Sequence, residues 1–147
     1  MKNQKGITLI ALVITIIVLL ILAGVAIAML SGENGILTRA KEARDNSDKG
    51  NLEEATKIAV GELFVGDETT DANTLGNVPD WGADGVNLKN KIEKVNDTLG
   101  TVTLTGVKSK DATGEANDYY KVSATGTDQV TFVQISSGKV TSTDPTK

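Results

Sequence analysis

The chain has 147 residues, no cysteine, no histidine, 3% aromatics and a net charge of −4. These counts exclude disulfides, thiolate nucleophiles, Cys/His zinc sites and imidazole general bases, and leave any core to Val, Ile, Leu and Ala. Lys2 and Lys5 are the only charges before Glu33, so without those two lysines the rest of the chain carries −6. No basic stripe is present to neutralise phosphates, and nucleic acid is not an expected partner.

From Ile7 to Leu30 the sequence is ITLIALVITIIVLLILAGVAIAML, uncharged throughout. As a helix this segment rises about 36 Å, enough to cross a hydrocarbon core of about 30 Å. Apolar residues fall on every face, which predicts a helix surrounded by lipid or by other apolar helices. The lysines before it and Glu33, Asp45 and Asp48 after it predict a cytoplasmic N-terminus and an exported remainder.

Three readings of the segment compete. A cleaved signal peptide has support in Ala26-Ile27-Ala28, a small-x-small cleavage pattern, but the apolar stretch before it is longer than a signal core. A permanent single-span anchor explains the span and nothing before it. The third reading uses the residues ahead of the span.

Met1-Lys2-Asn3-Gln4-Lys5-Gly6, followed by Ile7-Thr8-Leu9-Ile10 and the long uncharged run, resembles the class III signal of type IV prepilins and pseudopilins, in particular Gram-positive versions. The resemblance covers about the first 45 residues, through Gly32-Glu33-Asn34-Gly35-Ile36-Leu37-Thr38-Arg39-Ala40. It implies that a membrane-embedded prepilin peptidase cuts after Gly6, that Ile7 becomes the methylated N-terminus, and that the apolar helix stays on the mature protein. Ile7, Thr8, Leu9, Ile10, Ala11 and Gly24 then lie on the assembly helix. The implied partners are further copies in a filament, the peptidase, the membrane, and an assembly platform protein with its ATPase. The implied location is the cytoplasmic membrane, then an extracellular filament. In one respect the chain departs from the family: position 11, where a glutamate is usual, is Ala11.

Beyond the span, Gly24 and the Ser31-Gly32 and Asn34-Gly35 pairs are places for unwinding or bending, Gly24 alternatively for close helix contact. Ile36, Leu37, Ala40, Ala43, Leu52, Ala55, Ile58, Ala59 and Leu63 recur near the helical period, predicting an amphipathic helix to about Phe64. Asn46, Ser47, Asp48 and Gly50 make the Asp45–Asn51 stretch a place for a bend or break. Residues 65–86 read as a long loop in which Trp81 is an anchor. Asp67, Glu68, Asp71, Asp80 and Asp84 supply oxygens for a calcium ion, although without EF-hand spacing a solvated acidic loop is the simpler reading. No cofactor is expected.

Asn87 is the candidate N-cap of a short helix bearing Leu88, Ile92, Val95 and Leu99, closed by Gly100. Strands follow around Val102–Leu104, Tyr120–Ala124 and Val130–Ile135, with a short fourth at Lys139–Ser142 and a polar loop over Asp111–Asp118. The expected fold is α+β: a long N-terminal helix, apolar in its first half, with a small antiparallel sheet packed on its C-terminal half. Its segments are a leader (1–6), a transmembrane or filament-core helix (7–30), an amphipathic extension (31–64) and a small head (65–147).

Neither a nucleophile with its base nor a phosphate loop is present in the sequence, so a catalyst is not expected. A filament subunit is the leading reading. Its alternatives are a pseudopilin or minor tip subunit of a secretion or DNA-uptake system, and a single-span anchored domain that binds a surface ligand.

Overall fold

The computed structural model describes residues 3–65 and 79–147, with side chains from Gly6 onward. The chain divides into two compact units, Met1–Arg44 and Asp45–Lys147.

In the first unit, helix α1 spans Asn3–Ser31. Its aliphatic residues from Ile7 to Leu30 are exposed on every side, so within the described residues of its own unit α1 gains no packing energy. It is long and apolar enough to cross a membrane. Helix α1 runs through Gly24 unbroken, and the interruption falls instead at Gly32–Gly35. There the Gly35 N–H donates to the Gly32 carbonyl at 2.7 Å, a three-residue bond in place of the four-residue ladder, and Thr38 Oγ1 donates to the same carbonyl at 3.2 Å. Helix α2, Ile36–Val65, begins beyond it and continues into the second unit.

Helix α2 crosses Asp45–Asn51 with no break, contrary to the expectation from composition. Weak helix formers cost only tenths of a kcal/mol each and Gly50 about 1 kcal/mol. The buried stripe Leu52, Ala55, Thr56, Ala59 and Val60 immediately beyond them outweighs that sum, since each fully buried large aliphatic contributes about 1.5–3 kcal/mol. The Thr56 hydroxyl is satisfied by the Leu52 carbonyl at 2.7 Å.

The rest of the second unit packs on that stripe. Helix α3, Val86–Val95, buries Leu88 and Ile92. Four strands follow, β1 (Val102–Val107), β2 (Tyr119–Ala124), β3 (Thr127–Gln134) and β4 (Val140–Thr141), each antiparallel to the one before, in the order β1-β2-β3-β4. Val102 pairs with Ala124, Leu104 with Val122 and Tyr120 with Val133. This register puts Val102, Val122, Ala124 and Val133 into one core with Leu52, Ala55, Ala59, Val60, Leu88, Ile92 and Leu99. The α+β architecture read from the sequence is therefore the one adopted, with the sheet packed on α2.

The entry to α3 differs from expectation. The N-cap is Gly85, left-handed at φ 79°, rather than Asn87. A left-handed residue is nearly free of cost only for glycine. Asn87 lies inside the helix, where its Nδ2 donates to the Asp80 carbonyl at 3.0 Å and its N–H to the Trp81 carbonyl at 3.0 Å. The helix also ends earlier, at Val95, and a 3-10 turn over Asp97–Leu99 returns Leu99 to the core. Trp81 is 6% exposed, donates from Nε1 to the Ile135 carbonyl at 3.0 Å and meets Tyr120 edge to face. It is the anchor anticipated from the sequence.

Two polar contacts complete the unit. Lys91 pairs with Glu62 at 3.3 Å, linking α3 to α2, and Glu93 Oε1 accepts the Val102 N–H at 2.8 Å, covering the first residue of edge strand β1.

Candidate assembly and processing segment

Gly6 lies inside α1, which begins before it, so the Gly6–Ile7 bond is in helical conformation. A Cβ built on Gly6 would meet nothing within 4 Å. Glycine inside an exposed helix costs about 1 kcal/mol relative to alanine, and no packing among the described residues requires it at position 6. Gly24 is in the same situation.

Ile7, Thr8, Leu9, Ile10 and Ala11 form the next turns of the helix and are exposed, Ile7 at 67% and Leu9 at 64%. Ala11 presents a methyl group and no charge. Its carbonyl accepts the Thr15 hydroxyl at 2.7 Å, and Leu12 shares that hydroxyl at 2.9 Å. The arrangement fits close contact with apolar helices, because the Thr15 hydroxyl, one turn beyond position 11, bonds back onto its own helix backbone. Lys2 and the side chain of Lys5 lie outside the described residues.

Of the acidic loop, Asp67, Glu68 and Asp71 lie outside the described residues. Asp80 Oδ1 accepts the Gly82 N–H at 2.9 Å, and Asp84 has φ 53°, ψ 26°. Among the described residues no group of three or more acidic, histidine or cysteine side chains is placed to hold a metal ion.

Among the described residues, Ser109 and Asp118 form a serine–carboxylate pair with close geometry. The Ser109 N–H donates to Asp118 Oδ1 at 2.6 Å and its hydroxyl donates to Oδ2. This pair clasps the β1–β2 loop at its base. The Ser109 hydroxyl, with its N–H, holds the Asp118 carboxyl below the usual carboxylate range. A depressed carboxylate contributes stability that is present above its unfolded pKa, near 4, and is lost as pH falls through the folded value. In Ser109→Ala the Asp118 titration, followed by carboxyl NMR, is expected to move up toward the ordinary value. An unmoved titration would mean that the hydroxyl is not its main cause.

The chain thus combines an exposed apolar helix, α1, with an α+β head. Residues 1–27 match the family model described as the prokaryotic N-terminal methylation motif, the class III signal of type IV pilins. No curated protein and no solved structure matches the chain.

Proposed function

We propose that the chain is a structural subunit of an extracellular type IV pilus-like filament, cut by a prepilin peptidase after Gly6, methylated on Ile7 and assembled through α1. The observation that carries this reading is the apolar surface of α1, exposed on every side among the described residues, within a chain whose residues 1–27 match a methylation motif. Lipid covers that surface before assembly, and the same helices of neighbouring copies cover it afterwards, with the backbone bonded internally in both states. The platform protein and ATPase of such systems are the partners of the transfer. The molecule acts as a building block, and its working parts are the processing boundary and the helix rather than a catalytic group. Mass spectrometry of filaments sheared from cells tests the reading: the expected result is a polymer whose subunit starts at a methylated Ile7. A monomeric, membrane-retained chain would sink it.

Ala11 favours a second role within this reading. Cutting after Gly6 creates a cationic amine on Ile7, and an unpaired charge among apolar helices is costly. Ala11 cannot neutralise a neighbouring amine. A subunit that repeats along the filament needs another acceptor in every copy, whereas one present at low copy number, at a tip or in a pseudopilus, sets its amine beside a different subunit that supplies the carboxylate. Ala11→Glu is expected to raise the share of this subunit in sheared filaments. An unchanged share would remove charge pairing at position 11 as the deciding factor.

A further inference from the structure

Of the four glycines at or within the helical stretch from Gly24 to Gly50, two stand in open space and two do not. A Cβ on Gly24 or Gly50 meets nothing within 4 Å. A Cβ on Gly35 would lie 2.7 Å from the Leu30 carbonyl oxygen and 2.8 Å from that of Gly32, and one on Gly32 would lie 2.9 Å from the Ala28 carbonyl oxygen. All of these neighbours are backbone, so none can swing aside as a side chain would. Gly35 is also buried, while Ile36 and Leu37, which follow it, are 72% and 63% exposed.

The α1–α2 interruption is therefore not a fraying of weak helix formers. It is a closed turn, held by the Gly35 N–H and the Thr38 hydroxyl on the single Gly32 carbonyl, that only glycine at 35 permits. It falls within two residues of the end of the uncharged run at Leu30. We infer that Gly35 enforces a built-in joint between the lipid-covered helix α1 and helix α2, so that the chain carries two rods across the membrane boundary instead of one continuous rod. Any side chain at position 35 abolishes the turn, and the simplest conformation left to Ser31–Ile36 is the α-helix on either side of it. The proposal goes beyond the filament reading, since the joint is a property of the chain before any assembly.

The chain lacks cysteine, so the processed full-length protein in detergent micelles can carry spin labels at Val25→Cys and Lys41→Cys. A continuous helix between these positions spans about 24 Å. The expected result is that the otherwise wild-type pair departs from this value, that adding Gly35→Ala narrows the distribution onto it, and that the Glu33 and Asn34 amide protons change from fast-exchanging to protected. Gly24→Ala and Gly50→Ala should alter neither readout. A Gly35→Ala protein with the wild-type distance and fast exchange would overturn the inference, as would a wild-type pair already at the continuous-helix distance. In cells, Gly35→Ala should be cut normally after Gly6 yet yield fewer filaments. Absence of filaments from the wild type would count against the proposed function only, because the distance and exchange measurements decide the joint independently.

Discussion

Gly6→Val is expected to leave the precursor uncut in the membrane and to abolish filaments, the largest effect of any single change in this chain. The structure separates recognition from folding at this position. A Cβ there meets nothing within 4 Å, and valine is a better helix former than glycine by a few tenths of a kcal/mol. The substitution therefore leaves α1 intact or slightly firmer, and a loss of processing has to arise in the peptidase site. Intact-mass measurement of the membrane fraction reads the outcome directly. A Gly6→Val chain still beginning at Ile7 would show that glycine is not read at the boundary. A wild-type chain beginning at Met29 would indicate ordinary secretion instead, and one retaining Met1 a plain anchor.

The second large effect is expected in the head. Residues 36–147, freed of the span, should be soluble and folded, because the core lies between the C-terminal part of α2, α3 and the sheet. Leu52 and Ile92 are each 0% exposed in that core. Truncating either to alanine removes its transfer energy and leaves a cavity, for a cost of about 2–5 kcal/mol. Small domains are stable by only about 5–15 kcal/mol. For a head of this size the melting temperature should fall by roughly 10–30 °C, which calorimetry or circular dichroism would register. Leu37→Ala in the same fragment alters an exposed side chain and should stay within about 0.5 kcal/mol of wild type. If Leu37→Ala proved as damaging as Leu52→Ala, the start of α2 would belong to the folding core.

Much of this arrangement was legible in the residue order. The uncharged run from Ile7 to Leu30 has one simple reading as a helix, and the period-two runs around Val102, Val122 and Val133 marked the strands that pair in the sheet. What escaped depends on groups distant along the chain. Gly85 rather than Asn87 caps α3 because a left-handed Gly85 sits under the Tyr120 ring, whose atoms lie 3.3–3.5 Å from where a Cβ would be. The Asp45–Asn51 stretch stays helical because of side chains buried after it. Three weak points, Gly24, Ser31-Gly32 and Asn34-Gly35, were visible near the end of the span, but the order of residues did not distinguish Gly24, which has open space, from Gly35, which abuts two carbonyls. Burial on both faces of β3, where Phe132 is 2% and Val133 0% exposed, was equally hidden. The C-terminal residues that approach the Phe132 side, with Lys121 near Asp144 and the Lys110 N–H donating to the Pro145 carbonyl, carry no pattern of their own. Within the candidate assembly segment, the residues at the proposed processing boundary could be named from the motif, whereas the open space at Gly6 is a property of the folded helix.

The sheet order has a consequence for how the head reaches its folded state. Each strand pairs with the strand next to it in the chain, and the links are the short turns Thr125–Gly126 and Ile135–Lys139 and the loop Lys108–Asp118 that Ser109 and Asp118 close. A meander of this kind has low contact order within the sheet, so its hairpins close quickly and in sequence, without waiting for a distant strand. Under the filament reading proposed above, a polypeptide emerging on the far side of a membrane can complete its sheet strand by strand. Pairing in sequence shortens the time during which unpaired strand edges are open to other chains nearby, and leaves β1 and β4 as the edges of the finished sheet.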